Sequence, residues 1–490
     1  MKKENSDVVH ENIKKKAIDN TKIAILTQII VLILGLIKSF LIPLIVSVES
    51  FGYWQIYLLY LPYIGLFFWG FNDGIYLRYG KYDYDKIPAK RFRGALKLFL
   101  SMLTVETVIL FFLSFFIKDY LKQIAIALVI VNIPIKGIYG SFIYILQITN
   151  NIKKYCIYSI VDKVIFLLVI LVSLIFKIDS FIFLVIADII SSFLVTVMLI
   201  IENRVLLFGK SNELTKSFKE FKINIKAGIN IMFASFMALL FSGVGKIFVE
   251  RLGNIEEYAY FSFGMLIINL LLTLFSSISM VIYPMLKRLG KETYGEQYIT
   301  LGKYFEMIAS FALFSYFIAC IGVEIFFKSY IPVLNYLNLL FGLAVFQGKI
   351  NLLNITYYKL LREDKRMLFD YIISIIFFIL LCLLMDTSYK ISLVTLFIMG
   401  HRCIDSEVYL AKKMNITCKK DITNTLIMIG IFIISTGINL LVGFLAYLLY
   451  FIVYVWNNRK EFERIIKSIL NGKKWGKKNE IIVNSWFSYI

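Results

Sequence analysis

Residues 155–201 read YCIYSIVDKVIFLLVILVSLIFKIDSFIFLVIADIISSFLVTVMLII, two apolar runs (155–176 and 180–201) parted only by Lys177, Ile178 and Asp179. At 1.5 Å rise per residue, roughly 20 mostly apolar residues cross about 30 Å of hydrocarbon as a helix. The stretch therefore predicts two neighbouring transmembrane helices joined by a tight turn. Working outward, similar runs lie at 23–47, 54–77, 94–117 and 121–148 before it, and at 226–250, 258–285, 304–327, 331–358, 367–385 and 391–411 after it. Two shorter runs, 422–437 and 440–457, are parted by Gly437 and Asn439 and are equally readable as one tight hairpin. The expected fold is all-α and polytopic, with about fourteen transmembrane helices.

Composition agrees. Hydrophobic residues make up 59% of the 490 positions and charged residues 18%, with a mean hydropathy of +0.77, whereas soluble chains are about half apolar and about a quarter charged. Once the spans are subtracted, no soluble domain of ~100 residues remains, which argues against any activity needing a separate catalytic module. The five cysteines (Cys156, Cys320, Cys382, Cys403, Cys418) fall in apolar segments or at their inner ends and form no disulfide framework. His10 and His401 are the only histidines, too few for a zinc site, and no cofactor is expected. The N-terminal lysines precede no signal-peptide core, so the first run is expected to be a retained span.

The net charge of +20 is resolved by where its 53 Lys and Arg residues fall. Forty lie in the termini and alternate loops: 78–93, 153–154, 202–226, 286–303, 359–366 and 412–421. The opposite loops carry six: Lys118, Lys122, Lys177, Arg251, Lys328 and Lys390. Cytoplasmic loops retain positive charge, so both termini are expected in the cytoplasm. The basic face then lies against anionic membrane lipids, and nucleic acid is not an expected partner.

Seven basic residues fall inside spans: Lys38, Lys97, Lys136, Lys163, Lys246, Lys349 and Arg402. A charge at the bilayer centre costs at least about 2.5–3.5 kcal/mol, so such residues usually face a bundle interior or a watery cavity. Lys97 and Lys163 are near enough to span ends to snorkel. The others show a pattern. At an offset near 210, Lys38 falls on Lys246, Lys136 on Lys349, and Glu49–Trp54 echoes Glu256–Phe261. Six spans per repeat keep the halves parallel, as in two-lobed transporters. The expected organisation is an N-tail (1–22), an N-lobe (23–201), a basic linker (202–225), a C-lobe (226–411), an appended helix pair (412–457) and a basic C-tail (458–490). A cationic cavity between the lobes would be lined by Lys38, Lys136, Lys246, Lys349 and Arg402. Asp188 and Arg402 stand at matching depths and are expected to pair as a latch. Glu106 and Asp162 are candidates to bind a coupling cation or neutralise a lysine.

Signals for catalysis are weak. Asp83-Tyr84-Asp85 has an acid-x-acid form used by sugar-nucleotide transferases, but its loop is too short for a nucleotide fold. Neither a GxxxxGK[ST] phosphate loop nor a GxSxG elbow occurs, and the chain is not expected to be an enzyme.

Two stretches carry a family resemblance. Phe51-Gly52-Tyr53-Trp54-Gln55 with Trp69-Gly70-Phe71-Asn72-Asp73-Gly74-Ile75-Tyr76-Leu77-Arg78-Tyr79-Gly80, and Tyr357-Tyr358-Lys359-Leu360-Leu361-Arg362, resemble bacterial oligosaccharide flippases of the O-antigen and capsule type. These belong to the multidrug, oligosaccharidyl-lipid and polysaccharide exporter superfamily. The resemblance implies that a polyprenyl-pyrophosphate-linked oligosaccharide is carried from the inner to the outer leaflet of the bacterial cytoplasmic membrane by alternating access. Polysaccharide polymerase or other assembly proteins would be partners. Within the first motif it makes Arg78 a candidate for headgroup capture and Asp73 a gating candidate. A plain salt-bridged helix end is the equal alternative for Arg78. Rival readings are a cation-coupled multidrug exporter or a lipid II flippase of the same superfamily, and, further off, a membrane glycosyltransferase or polymerase.

Overall fold

The computed structural model describes residue 23, residues 26–459 and residues 461 and 463, with the side chains of Met280, Val281 and Pro284 excepted. The basic N-tail and nearly all of the C-tail lie outside the described residues. Among the described residues the chain is helical, with no strand.

Residues Met1–Ala259 and Tyr260–Ile490 form two compact units. In the first are α1 (Leu26–Ile45), α2 (Val48–Tyr60), α3 (Phe71–Tyr79), α4 (Ala89–Ser114), α5 (Tyr120–Ile148), α6 (Ile152–Phe176), α7 (Phe181–Glu202), the short α8 (Arg204–Leu207) and α9 (Leu214–Arg251). Helix α10 (Ile255–Leu289) runs on into the second unit. That unit continues with α11 (Tyr294–Ala312), α12 (Ser315–Phe326), α13 (Leu334–Lys349), α14 (Ile355–Leu361), α15 (Asp364–Cys382), α16 (Ser388–Lys413), α17 (Lys419–Thr436) and α18 (Leu440–Asn457). The protein is an all-α, polytopic membrane protein, and ten of its helical segments are long and apolar enough to span a bilayer.

Four expected spans fall outside those ten, for visible reasons. The run at 54–77 is not one helix: after α2 comes a 3-10 stretch, Leu61–Phe68, and then Trp69 (φ 48°) and Gly70 (φ 75°) break the chain before α3. Helix α15 opens on Asp364, Lys365 and Arg366, α16 carries Arg402, Asp405 and Glu407, and α17 starts with Lys419, Lys420 and Asp421. The last two runs are separate helices and not an appendage. Tyr447 of α18 is fully buried, and its hydroxyl donates to the Ser310 carbonyl at 2.9 Å.

Local chemistry sets the turns. Asp119 caps α5 by accepting from the backbone of Leu121 and Lys122 at 3.0 and 3.1 Å. Ser180, Thr387 and Asn439 cap α7, α16 and α18 in the same way. Pro134 sits inside α5, which continues through it.

The break in the second span is held by α9. Gly70 and Gly74 of α3 face Gly228 and Asn224 of α9 so closely that a Cβ on Gly74 would stand 2.0 Å from the Asn224 carbonyl oxygen. Glycines four apart on one partner and Gly228 on the other let the backbones meet, the usual way helices associate where lipid gives no hydrophobic drive. The echoing stretches also touch: a Cβ on Gly52 would stand 2.7 Å from Ile255, and the Tyr258 hydroxyl donates to the Gln55 carbonyl at 3.0 Å.

Candidate functional site

In the first unit Lys38, Lys136, Lys163, Asp162 and Asp188 lie along one polar network. Lys38 of α1 is 3.4 Å from Asp188 Oδ1 on α7. The Lys38 ammonium also lies 4.0 Å from the ring centre of Phe166 and 5.0 Å from that of Trp54, so a carboxylate and aromatic faces share its charge. Asp188 Oδ2 accepts from the Tyr57 hydroxyl at 2.8 Å, and that hydroxyl accepts from Asn132 at 3.0 Å. Asp188, matched by depth with Arg402 in the sequence, is thus partnered inside its own unit.

Asp162 of α6 is neutralised by the adjacent Lys163 at 2.8 Å and accepts from Ser191 and Ser192 at 3.2 and 3.3 Å. Ser192 in turn accepts from Lys136 of α5 at 2.5 Å. The Lys136 ammonium lies 5.6 Å from the Tyr139 ring centre, and among the described residues it makes no ion pair within 4.0 Å. The network therefore sets three lysines against two aspartates. Lys246 of α9 adds a further half-buried cation with no ion pair or hydrogen bond among the described residues.

Arg78, in the last turn of α3, pairs with Glu220 of α9 at 2.7 Å and donates to Asn224. The Tyr79 hydroxyl donates to the same Glu220 at 3.0 Å, which makes this a tied helix end. Asp73 stands in the first turn of α3 beside Gly228. Glu106 of α4 accepts from the Trp69 indole N–H at 2.7 Å, directly at the break in the second span, and its other oxygen is buried without a partner. The acid-x-acid stretch is a surface turn: Asp83 bonds Lys86 at 2.8 Å, and that ammonium holds the carboxyl below its usual range.

The second unit handles its charges differently. Lys349, at the end of α13, is buried and lies 2.9 Å from Glu407 of α16 and 3.8 Å from Glu306 of α11. A π-helical turn, Ile350–Asn354, follows it directly; such turns are rare and recur at functional sites. Arg402 lies 3.7 Å over the Tyr371 ring centre. In the second motif the Tyr358 hydroxyl donates to Asp370 at 2.6 Å, and Arg362 caps α14 at φ 59°. Sequence reasoning passed over Glu306, Glu407 and Tyr57, and quoted Trp69 in a motif without giving it a role. The signal for the two glutamates was present, since an acid inside an apolar run is as costly as a base. No group of three or more metal-ligating side chains is found among the described residues.

No family model and no curated protein matches the sequence. Solved structures do match. The fold superposes on the lipid II flippase MurJ in an inward closed conformation with a TM-score of 0.63 and 16% identity, over 89% of this chain and 99% of that one. It superposes on an outward-facing MATE family multidrug resistance transporter of the MOP superfamily with a TM-score of 0.52 and 11% identity, over 81% and 96% of the two chains. A MATE protein in complex with MaL6 matches over the same shares, at a TM-score of 0.50 and 10% identity. The chain thus shares its fold with MurJ and with MATE family transporters.

Proposed function

We propose that this protein is a flippase that moves a polyprenyl-pyrophosphate-linked oligosaccharide from the inner to the outer leaflet of a bacterial cytoplasmic membrane, with both termini in the cytoplasm. The observation that carries the reading is the surplus of positive charge within the spans of the first unit: three lysines against two aspartates, with Lys136 bound only to a serine hydroxyl and Lys246 unpaired among the described residues. Unpaired cations at membrane depth are expensive and suit an anionic cargo. A pyrophosphate supplies the missing charge while the lipid tail stays in the bilayer. An inside-negative potential favours outward movement of an anion by about 2.3 kcal/mol per charge per 100 mV, so energetics require no further driving force.

The fold supports alternating access, because superposable chains have been solved in inward closed and outward-facing conformations. Lys136 and Lys246 are the residues assigned to the diphosphate, with Lys38 and Arg78 in ion pairs that the cargo would compete for. A second reading, lipid II itself as cargo, is favoured by the likeness to MurJ over 89% of this chain. Polysaccharide polymerase or other assembly proteins are proposed partners on the outer side.

The test is reconstitution into liposomes with a lipid-linked oligosaccharide, lipid II or a cationic dye. Appearance of the glycan on the far leaflet, lost in Lys136→Ala and retained in Lys136→Arg, supports the proposal. Faster movement of lipid II selects the second reading. Dye export without glycan movement overturns both, and full glycan movement by Lys136→Ala overturns the assignment of the diphosphate to that lysine.

A further inference from the structure

Glu306, Lys349 and Glu407 form a buried cluster in the second unit, their side chains 2–3% exposed. Lys349 is in direct contact with Glu407 at 2.9 Å, while Glu306 stands off at 3.8 Å. One ammonium cannot balance two carboxylates. A surplus negative charge in a buried interior is relieved most cheaply by a proton.

The hydrogen bonds say which carboxyl holds it. Thr425 Oγ1 of α17 has three polar neighbours: Lys349 Nζ at 2.9 Å, the Asp421 carbonyl at 2.9 Å and Glu306 Oε1 at 3.2 Å. A hydroxyl has one proton to donate and two lone pairs to accept with. Its proton suits the Asp421 carbonyl, the contact a helical threonine makes with the residue four before it. The ammonium takes one lone pair. When Glu306 is ionised it competes with that carbonyl for the Thr425 proton, and when Glu306 carries its own proton the two contacts no longer compete, because Glu306 can donate to the hydroxyl's remaining lone pair. Glu407 is already engaged by Lys349 and by the Cys403 thiol at 3.4 Å, which leaves Glu306 as the carboxyl without a close cation.

Among the described residues the other cations nearby are engaged elsewhere. On α11, Tyr298 donates to Asn354 at 3.0 Å, and Lys303, which feels the Glu306 charge, is engaged by Glu461 at 2.7 Å. Helix α16 presents Cys403, Glu407 and Arg402, the last lying 3.7 Å over the Tyr371 ring centre, α17 presents Asp421, a further acid, and α18 presents Tyr450 and Tyr454.

We propose that Glu306, Lys349, Glu407 and Thr425 form a proton-binding site, loaded on Glu306 at neutral pH. On release, the Glu306 O–H bond breaks, its electron pair stays on the carboxylate, and the proton passes to water. The anion left behind has no second cation, so release is confined to a conformation in which water reaches the cluster. The site does not depend on what the protein carries. It also makes α17 part of the working core of the second unit.

Infrared spectroscopy of the full chain in lipid nanodiscs tests this. The wild type at pH 7 should show a protonated-carboxyl C=O band that Glu306→Gln removes, and Thr425→Val should shift it to higher frequency by removing its hydrogen-bond acceptor. Glu407→Gln should also abolish it, since Glu306 then ionises to pair with Lys349. Absence of the band in the wild type overturns the proposal whether or not the variants fold. A band that Glu306→Gln and Thr425→Val both leave unchanged overturns it equally.

Discussion

Gly228 of α9 and Gly70 before α3 are in backbone contact: a Cβ on Gly228 would stand 2.0 Å from the Gly70 carbonyl oxygen and 2.4 Å from the Gly74 amide nitrogen. Neither neighbour is the end of a flexible side chain, so Gly228→Ala has to push α9 away from the broken span. Overpacking of this kind costs about 1–3 kcal/mol, read as a lowered melting temperature of the detergent-purified protein. Gly430→Ala, with nothing within 4 Å of its Cβ, is the control and should be neutral or stabilising by up to about 1 kcal/mol.

That contact also marks where sequence reading stops. Every expected span corresponds to helical chain, because length and apolarity are written residue by residue. The break at Trp69 is not legible: residues 54–77 read as a continuous apolar run, and nothing forecasts a tryptophan at φ 48°. Partner choice is also hidden. Depth along the chain matched Asp188 with Arg402, but pairing follows which helices are neighbours, and α7 lies within reach of Lys38. Lys349 reads as a free cation until Glu306 and Glu407 arrive from two other helices. The echo between Lys136 and Lys349 is real in spacing, yet one meets a hydroxyl and the other two carboxylates.

Trp69→Phe removes the indole N–H that Glu106 accepts at 2.7 Å and leaves that carboxyl with neither oxygen bonded to a side chain. The expected loss is about 1–3 kcal/mol, the penalty for a stranded polar group. Glu106→Gln keeps an oxygen for the indole and should cost less. Equal melting temperatures for the two variants would show that the bond does not hold the break in place.

Outside the spans, Glu363 bonds the Lys413 ammonium at 2.7 Å and the Tyr409 hydroxyl at 2.9 Å, and these hold its carboxyl below its usual range. A depressed carboxyl stabilises the folded state above its unfolded value, near pH 4.3, and the contribution fades as pH falls through the folded value. Protection of the amides of residues 362–364, taken relative to their intrinsic exchange rates, should therefore fall with acid in that window. Glu363→Gln should show the lower protection at every pH, and an unchanged profile would refute the tie.

Lys38 and Lys136 should separate stability from transport. Lys38 faces Asp188 at 3.4 Å inside the bundle, so Lys38→Met leaves a buried carboxylate without its cation. Breaking a buried pair from one side costs about 3–5 kcal/mol, enough to lower the yield of folded protein. Lys136→Met removes only a donor to Ser192, whose neighbour Asp162 keeps Lys163 as its counter-ion. That loss is about 1 kcal/mol. If Lys136 holds the diphosphate, the milder variant in stability is the more damaging one in transport per folded molecule. The pair Lys38→Met with Asp188→Asn should recover most of the stability, since it removes both charges together. Thermal melts combined with leaflet-specific detection of the lipid-linked glycan measure both quantities on one preparation. A Lys136→Met protein that transports in proportion to its folded fraction would make this lysine structural and return the cargo's charge to other residues.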